Sequence, residues 1–236
     1  MFNLLHRDFK EERILAQNRA VIRQSLPDVI VADLRQRILS GDLAEGELIR
    51  QEVLADEYQV SRMPVREALR RLDAEGLVVF MNNRGATVTT HTVDEISEIF
   101  DIRAVLEVDL FKRAIPLMQT DDFARCEAIL LEMEHSYRSG NVADWGPLNA
   151  RYHAALYSAA GRELTTHLLA RVSLQANRYV SMHIDRLKKS DSAQQDHATL
   201  LTLARQGKVD AAAEALRVHI DQTKHQVLAL INAARA

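Results

Sequence analysis

Two sets of side chains in this chain have types and spacings that could do chemistry. Arg62, Arg66 and Arg70 recur at i, i+4 and i+8, so a helix would carry them on one face. A row of guanidinium groups on such a helix can bridge phosphates and reach guanine O6 and N7 in a major groove. Ser61, just before it, can hydrogen-bond a phosphate, and a helix N-terminus favours the same anion. The same spacing also fits a solvated basic face on a structural helix. The second set is three histidines. His153 has Asn149 one turn before it, His197 falls on the stripe Ala193, His197, Leu200, Ala204, and His219 on Ala212, Leu216, His219, Thr223. Imidazoles facing a bundle interior must find partners or shift their pKa. A metal held between facing helices is one solution; an ordinary core histidine is the plainer one. Arg103 lies on the apolar stripe Ile96, Ile99, Arg103, Leu106, Leu110, and a buried guanidinium is costly unless paired. Its partner is either Glu107, one turn on, or a bound anion. Arg171, Gln175 and Arg178 form a further polar stripe.

The elements that must position these groups differ between the two parts of the chain. Leu26, Ile30, Leu34 and Ile38 mark one face of a first helix, which Gly41 ends. A short second helix fits Gln51 to Tyr58. A third, Arg62 to Ala74, has Ser61 as N-cap, Pro64 in its first turn and Gly76 beyond its end. Leu77–Phe80 and Ala86–Thr89 are β-prone runs around Asn82-Asn83-Arg84-Gly85, a hairpin signal with Arg84 at its tip, where it could enter a minor groove. Helix, helix, tight turn, helix and hairpin is a winged helix-turn-helix order. Beyond a boundary at 88–93 the pattern predicts helices over 93–115, 121–139, 143–160, 162–187, 191–206 and 209–232, which need an antiparallel bundle to bury their stripes. The expected fold is mainly α. Residues 1–24 form an N-terminal extension, 25–90 the winged domain, and 93–232 an all-α bundle.

Composition bounds the rest. Eight glycines and four prolines in 236 residues are few, since the two usually make roughly 12% of a chain. This points to long helices rather than a many-turned β-sandwich. A hydrophobic content of 47% excludes global disorder. No uninterrupted apolar run has membrane-spanning length, and the N-terminus lacks a signal-peptide core. A lone cysteine, Cys126, makes no intrachain disulfide. A cytoplasmic protein with no membrane partner is expected. The net charge of −3 is no obstacle to nucleic-acid binding. Residues 25–90 hold 8 basic and 11 acidic side chains, yet Ser61 to Leu72 holds four arginines and one glutamate. Affinity for DNA depends on local phosphate contacts.

Motifs in both parts carry a family resemblance. Ile38-Leu39-Ser40-Gly41-Asp42-Leu43 with Gly46 and Leu48 is similar to the opening of GntR-family transcription regulators. Val53-Leu54-Ala55, the run Val60 to Leu69, Arg71 to Leu77 and Arg84-Gly85-Ala86 continue it over about fifty residues. The resemblance implies DNA contacts at Ser61, Arg62, Pro64, Arg66 and Gly85, with Arg50 a further phosphate contact beside Arg70 and Arg84. Glu52 stands where some relatives have arginine. In the second part, Leu148-Asn149-x-x-Tyr152-His153, Asp196-His197-x-x-Leu200 and His219-Ile220 resemble the FCD domain of the FadR branch. There the likeness implies a divalent metal, zinc or nickel, on Asn149, His153, His197 and His219. It also implies an anion clamp at Arg103 and Glu107, and the polar stripe of Arg171, Gln175 and Arg178 is a candidate pocket wall. Asn149 departs from the usual aspartate. Four neutral ligands would leave the full metal charge in place, weakening metal affinity and strengthening that of a carboxylate.

The implied function is a homodimeric, ligand-responsive regulator, with repression the expected sign. Two reading helices would sit on a palindromic operator while a small carboxylate effector enters the bundle. Two alternatives stay open, a metal that is itself the signal and a metal-dependent enzyme. Hydrolysis would need a general base near the metal, and no glutamate accompanies His153 as it would in HExxH.

Overall fold

The computed structural model describes residues 25–82, 84–140, 144–187 and 190–235, with side chains in α7 and α8 described up to 181 and from 194. The extension 1–24 lies outside the described residues. Helix α1 (Leu26–Ser40) starts at a capping box, in which the Ser25 side chain accepts from the Asp28 amide and Asp28 reaches back to Ser25. It ends at Gly41, whose φ of 86° is left-handed. After β1 (Leu48–Ile49) come α2 (Gln51–Glu57), α3 (Arg62–Ala74), β2 (Val78–Met81) and β3 (Gly85–Val88). The sheet runs β1-β3-β2, antiparallel throughout, with Met81 opposite Gly85 at the wing's end.

This winged domain has its own core. Ile30, Leu34, Ile38, Val65, Leu69, Leu72 and Leu77 are all buried in one cluster. Leu26 is not among them. At the first turn it is 57% exposed, and Val31 fills the inner face instead. A face drawn at strict four-residue spacing drifts around a helix of 3.6 residues per turn, so the apolar stripe leaves Leu26 behind.

Thr92 caps α4 (Val93–Ala114) through a second capping box with Glu95. The bundle continues through α5 (Thr120–Arg138), α6 (Trp145–Tyr157), α7 (Glu163–Leu187), α8 (Ser190–Arg205) and α9 (Val209–Arg235). These bounds follow the apolar periodicity closely, because the breakers that end each stripe are few and unambiguous. Helix α4 is central and packs on α9, α7 and α6. Its inner face buries Ile96, Phe100, Leu110 and Phe111 in a core that also takes Tyr152, Leu156, Leu200, Leu216 and Ile220. Arg103 and Glu107 sit on that same inner face, at 5% and 0% exposure. Among the described residues no helix is long and apolar enough to cross a membrane.

Candidate metal, effector and DNA sites

Helices α6, α8 and α9 each deliver one histidine to the same point in the bundle. His153, His197 and His219 are buried, and one ring nitrogen of each lies within 4.8 Å of the others. Ring centroids are 4.8 to 5.5 Å apart. Carboxylates hold two of the rings. His153 Nδ1 donates to Glu107 Oε2 at 2.9 Å, and His219 Nδ1 faces Asp196 Oδ2 at 3.3 Å. With Nδ1 engaged, Nε2 keeps its lone pair. His153 Nε2 and both ring nitrogens of His197 are buried with no hydrogen-bond partner. Buried polar atoms are nearly always satisfied, so three orphan nitrogens on two of the clustered rings are unusual. Tyr152 fixes the α8 backbone here by donating to the His197 carbonyl at 2.7 Å. Asn149, half-buried one turn before His153 on α6, shares that stretch of helix.

Burial pushes the His153 and His197 pKa values down, His197's well below the ordinary imidazole value. Neutral rings are what metal coordination requires. Unpartnered imidazole nitrogens are also the donor type that suits zinc or nickel. The residues therefore fit a divalent metal of that kind.

Arg103 and Glu107 form the pair expected from their spacing, Nε to Oε1 at 2.8 Å. Burial alone would raise the Glu107 carboxyl, but Arg103 and His153 beside it hold it at about 2. Both Glu107 oxygens are thus committed, one to Arg103 and one to His153. That places Glu107 between the clamp and the histidines rather than on an effector. Arg103 hydrogen-bonds only through Nε, with its guanidinium 5.5 Å over the Phe100 ring, and its two Nη groups have no hydrogen-bond partner among the described residues.

The structure puts Arg171 and Gln175 elsewhere. Arg171 Nη2 donates to the Ala74 carbonyl at 2.7 Å and Gln175 Nε2 to the Glu75 carbonyl at 2.8 Å. Both cap the C-terminal end of α3 and so join the two domains. Arg178, fully buried, donates to the Thr89 carbonyl at 2.6 Å. Glu45, in the loop after α1, is the hub of this junction. It accepts from Tyr179 Oη at 2.7 Å and from Arg235 Nη2 at 2.8 Å, and lies 3.8 Å from Arg178 Nη2. Burial raises the Glu45 carboxyl's pKa, and Tyr179, Arg235 and Arg178 lower it further than that, so it stays ionised. Leu174, also on α7, packs against the winged core. Nothing in local sequence marks Glu45, because its partners lie 134 and 190 residues away.

On the DNA-facing side the arginines separate. Arg66 has no protein partner among the described residues. Arg70 lies over the Phe80 ring at 5.6 Å, which orients it beside the wing. Arg62 pairs with Glu52 at 3.1 Å, both two-thirds exposed, a contact that water and salt loosen easily. Arg71 turns to the other side and pairs with Asp28 and Glu67. Ser61 stands at the α3 N-cap with no side-chain cap bond, so its exposed hydroxyl is available. Pro64 sits in the first turn, and Arg50 and Arg84 are exposed. Gly85 is buried with φ 118°, and a Cβ there would lie 1.9 Å from the Ile49 carbonyl oxygen. The wing therefore requires glycine at this place for the β1–β3 approach.

A winged helix-turn-helix with a row of arginines on its third helix, locked to a helical bundle around a buried histidine cluster, has the architecture of a two-domain DNA-binding regulator. The model of the bacterial regulatory proteins of the gntR family matches residues 26–88, and the FCD domain model matches 98–222. The chain belongs to the GntR family of bacterial regulatory proteins and carries an FCD domain. It is 36% identical over 104 residues to the gluconate operon transcriptional repressor of Bacillus licheniformis. That stretch is 44% of this chain and 42% of that protein, so it spans less than half of the relative. A GntR-family regulator from Pseudomonas syringae pv. tomato str. DC3000, known as a crystal structure, is 30% identical. The comparison covers 89% of this chain and 87% of that one, with a TM-score of 0.56. Escherichia coli McbR/YncC shares the fold at a TM-score of 0.77 and 18% identity, over 88% of this chain and 99% of that one.

Proposed function

We propose that this regulator binds a palindromic operator as a homodimer and releases or grips it in response to a small carboxylate effector in the helical domain. The observation that carries the reading is the cluster of buried, unpartnered histidine nitrogens beside a guanidinium with two free donors. Asn149, His153, His197 and His219 would hold a divalent metal, which when bound supplies a Lewis-acidic centre for a carboxylate oxygen. Arg103 orients the effector's carboxylate through its Nη groups, a fork geometry suited to two parallel hydrogen bonds. Glu107 keeps Arg103 in place and fixes the His153 tautomer. Arg50, Ser61, Arg62, Arg66, Arg70 and Arg84 meet the DNA, with Pro64 shaping the first turn of α3 and Gly85 the wing.

Effector and operator communicate through the junction. Helices α7 and α9 belong to the bundle, and Arg171, Gln175, Arg178, Tyr179 and Arg235 on them grip the winged domain. A shift of either helix moves those contacts and so the two reading helices relative to each other. The coupling is reciprocal in free energy. The test uses an operator selected from random-sequence DNA and zinc-loaded protein, titrated with a panel of small organic acids and followed by anisotropy. At least one acid shifts operator affinity, and His197→Ala protein does not respond to it. Release by chelator alone, with no acid of any kind altering affinity, would instead make the metal the signal.

A further inference from the structure

The fixed charges around the histidine cluster can be counted. Glu107 is hydrogen-bonded to His153 and Asp196 faces His219, giving two carboxylates, each one contact from a ring. Arg103, on Glu107, brings one positive charge. Glu214 lines the same 440 Å³ surface pocket as Asp196 and His219, but it is held by Arg217 at 2.6 and 2.9 Å and adds no net charge. Asn149 and the three imidazoles add none. Among the described residues the surroundings of the cluster therefore carry one net negative charge. A divalent cation in the cluster reverses this to one net positive charge, and a single carboxylate on Arg103 brings it to zero.

We infer that Glu107 and Asp196 are the counter-charges of this site, and that they make the cation a prerequisite for the anion. They replace, from outside the ligand set, the charge that an aspartate at 149 would supply directly. Without a cation, an incoming carboxylate meets net negative charge and loses the attraction of Arg103, which Glu107 already neutralises. With one, the site carries a single uncompensated positive charge, which selects a monocarboxylate group over neutral ligands. An aspartate at 149 would cancel that last charge. The inference rests on the metal-and-carboxylate reading above, and it assigns Asp196 and Glu107 as positioning residues that touch neither effector nor metal.

Opposite signs distinguish this from structural damage. Asp196→Asn keeps an acceptor for His219 Nδ1 and removes only charge, at a half-exposed place where the fold tolerates it. Cobalt(II) serves as probe cation, its visible absorption reporting both its own binding and the entry of acetate, the probe anion. Affinity for cobalt, measured by chelator competition, is expected to fall about tenfold in Asp196→Asn, as for other outer carboxylates on metal-bound histidines. Acetate affinity of the loaded variant is expected to rise about threefold, and acetate does not bind the cation-free wild type. Asn149→Asp shifts both the other way, with tighter cobalt and weaker acetate. A fall in both affinities in Asp196→Asn, unchanged acetate affinity, or equal acetate binding with and without cobalt overturns the inference and leaves the metal reading standing. A wild type that takes up no cobalt overturns both.

Discussion

Replacing Glu45 by alanine should release the winged domain from the bundle without unfolding either. Glu45 accepts one hydrogen bond from Tyr179 Oη and one from Arg235 Nη2, and it is the nearest carboxylate to the buried Arg178. Hydrogen bonds to a charged group contribute about 1.5–3 kcal/mol each. The Arg235 contact counts for less, because that side chain is 36% exposed. Arg178 compounds the loss. It is fully buried, its Nε and Nη2 lack hydrogen-bond partners, and after the substitution the Thr89 carbonyl is its remaining acceptor among the described residues. Removing one member of a buried charge pair costs about 3–5 kcal/mol at most, and 3.8 Å is a loose pair. A total of about 2–4 kcal/mol is expected, confined to the junction. Amide hydrogen exchange reads this directly. Exchange in α1 and residues 41–47 should accelerate by roughly 30-fold or more, since about 2 kcal/mol corresponds to that ratio. Trp145, the sole tryptophan, lies in the bundle, and its denaturation midpoint by fluorescence should barely move. Exchange unchanged within about threefold would refute the hub assignment. An equal loss at α1 and at Trp145 would refute the claim that the junction is separable from the cores.

Three further outcomes are expected. Arg66→Ala should weaken operator binding by about 1–3 kcal/mol and lower the salt slope by about one, whereas Arg71→Ala should leave the slope unchanged, because Arg71 faces Asp28 and Glu67; filter binding at several salt concentrations checks both. Gly85→Ala should abolish the wing or cost more than about 3 kcal/mol in denaturant unfolding, since its Cβ would sit inside the Ile49 carbonyl. Cys126 is buried and burial pushes its thiol up to about 11, so at pH 8 iodoacetamide should label the native chain far more slowly than the denatured one; equal rates would contradict this.

Much of this was legible from residue order. Helix ends at Gly41 and Thr92 follow from local chemistry, and the α4 stripe of Ile96, Ile99, Leu106 and Leu110 placed Arg103 on a core-facing side, whereas the full burial of Glu107 was not marked by it. His197 and His219 each sat on a helical stripe that local periodicity reveals, while the place of His153 and the convergence of all three followed from the resemblance. Other features depended on tertiary placement. Arg171 and Gln175 share a polar face that reads equally as a pocket wall or as a docking surface, and only the position of Ala74 and Glu75 opposite them decides it. Arg71 looks like a fourth reading arginine until α1 brings Asp28 beside it. The double duty of Glu107 was half visible, since its Arg103 contact is one helical turn away while His153 comes from another helix 46 residues on.

The central claim is that the histidine cluster is a metal site, and native mass spectrometry of the purified chain incubated with zinc tests it most directly. The account predicts one zinc per chain in the wild type and none in His197→Ala, with circular dichroism checking that the variant keeps its helices; the substitution removes two unsatisfied buried nitrogens. A wild type that retains no zinc, or a His197→Ala protein that retains as much, would contradict it.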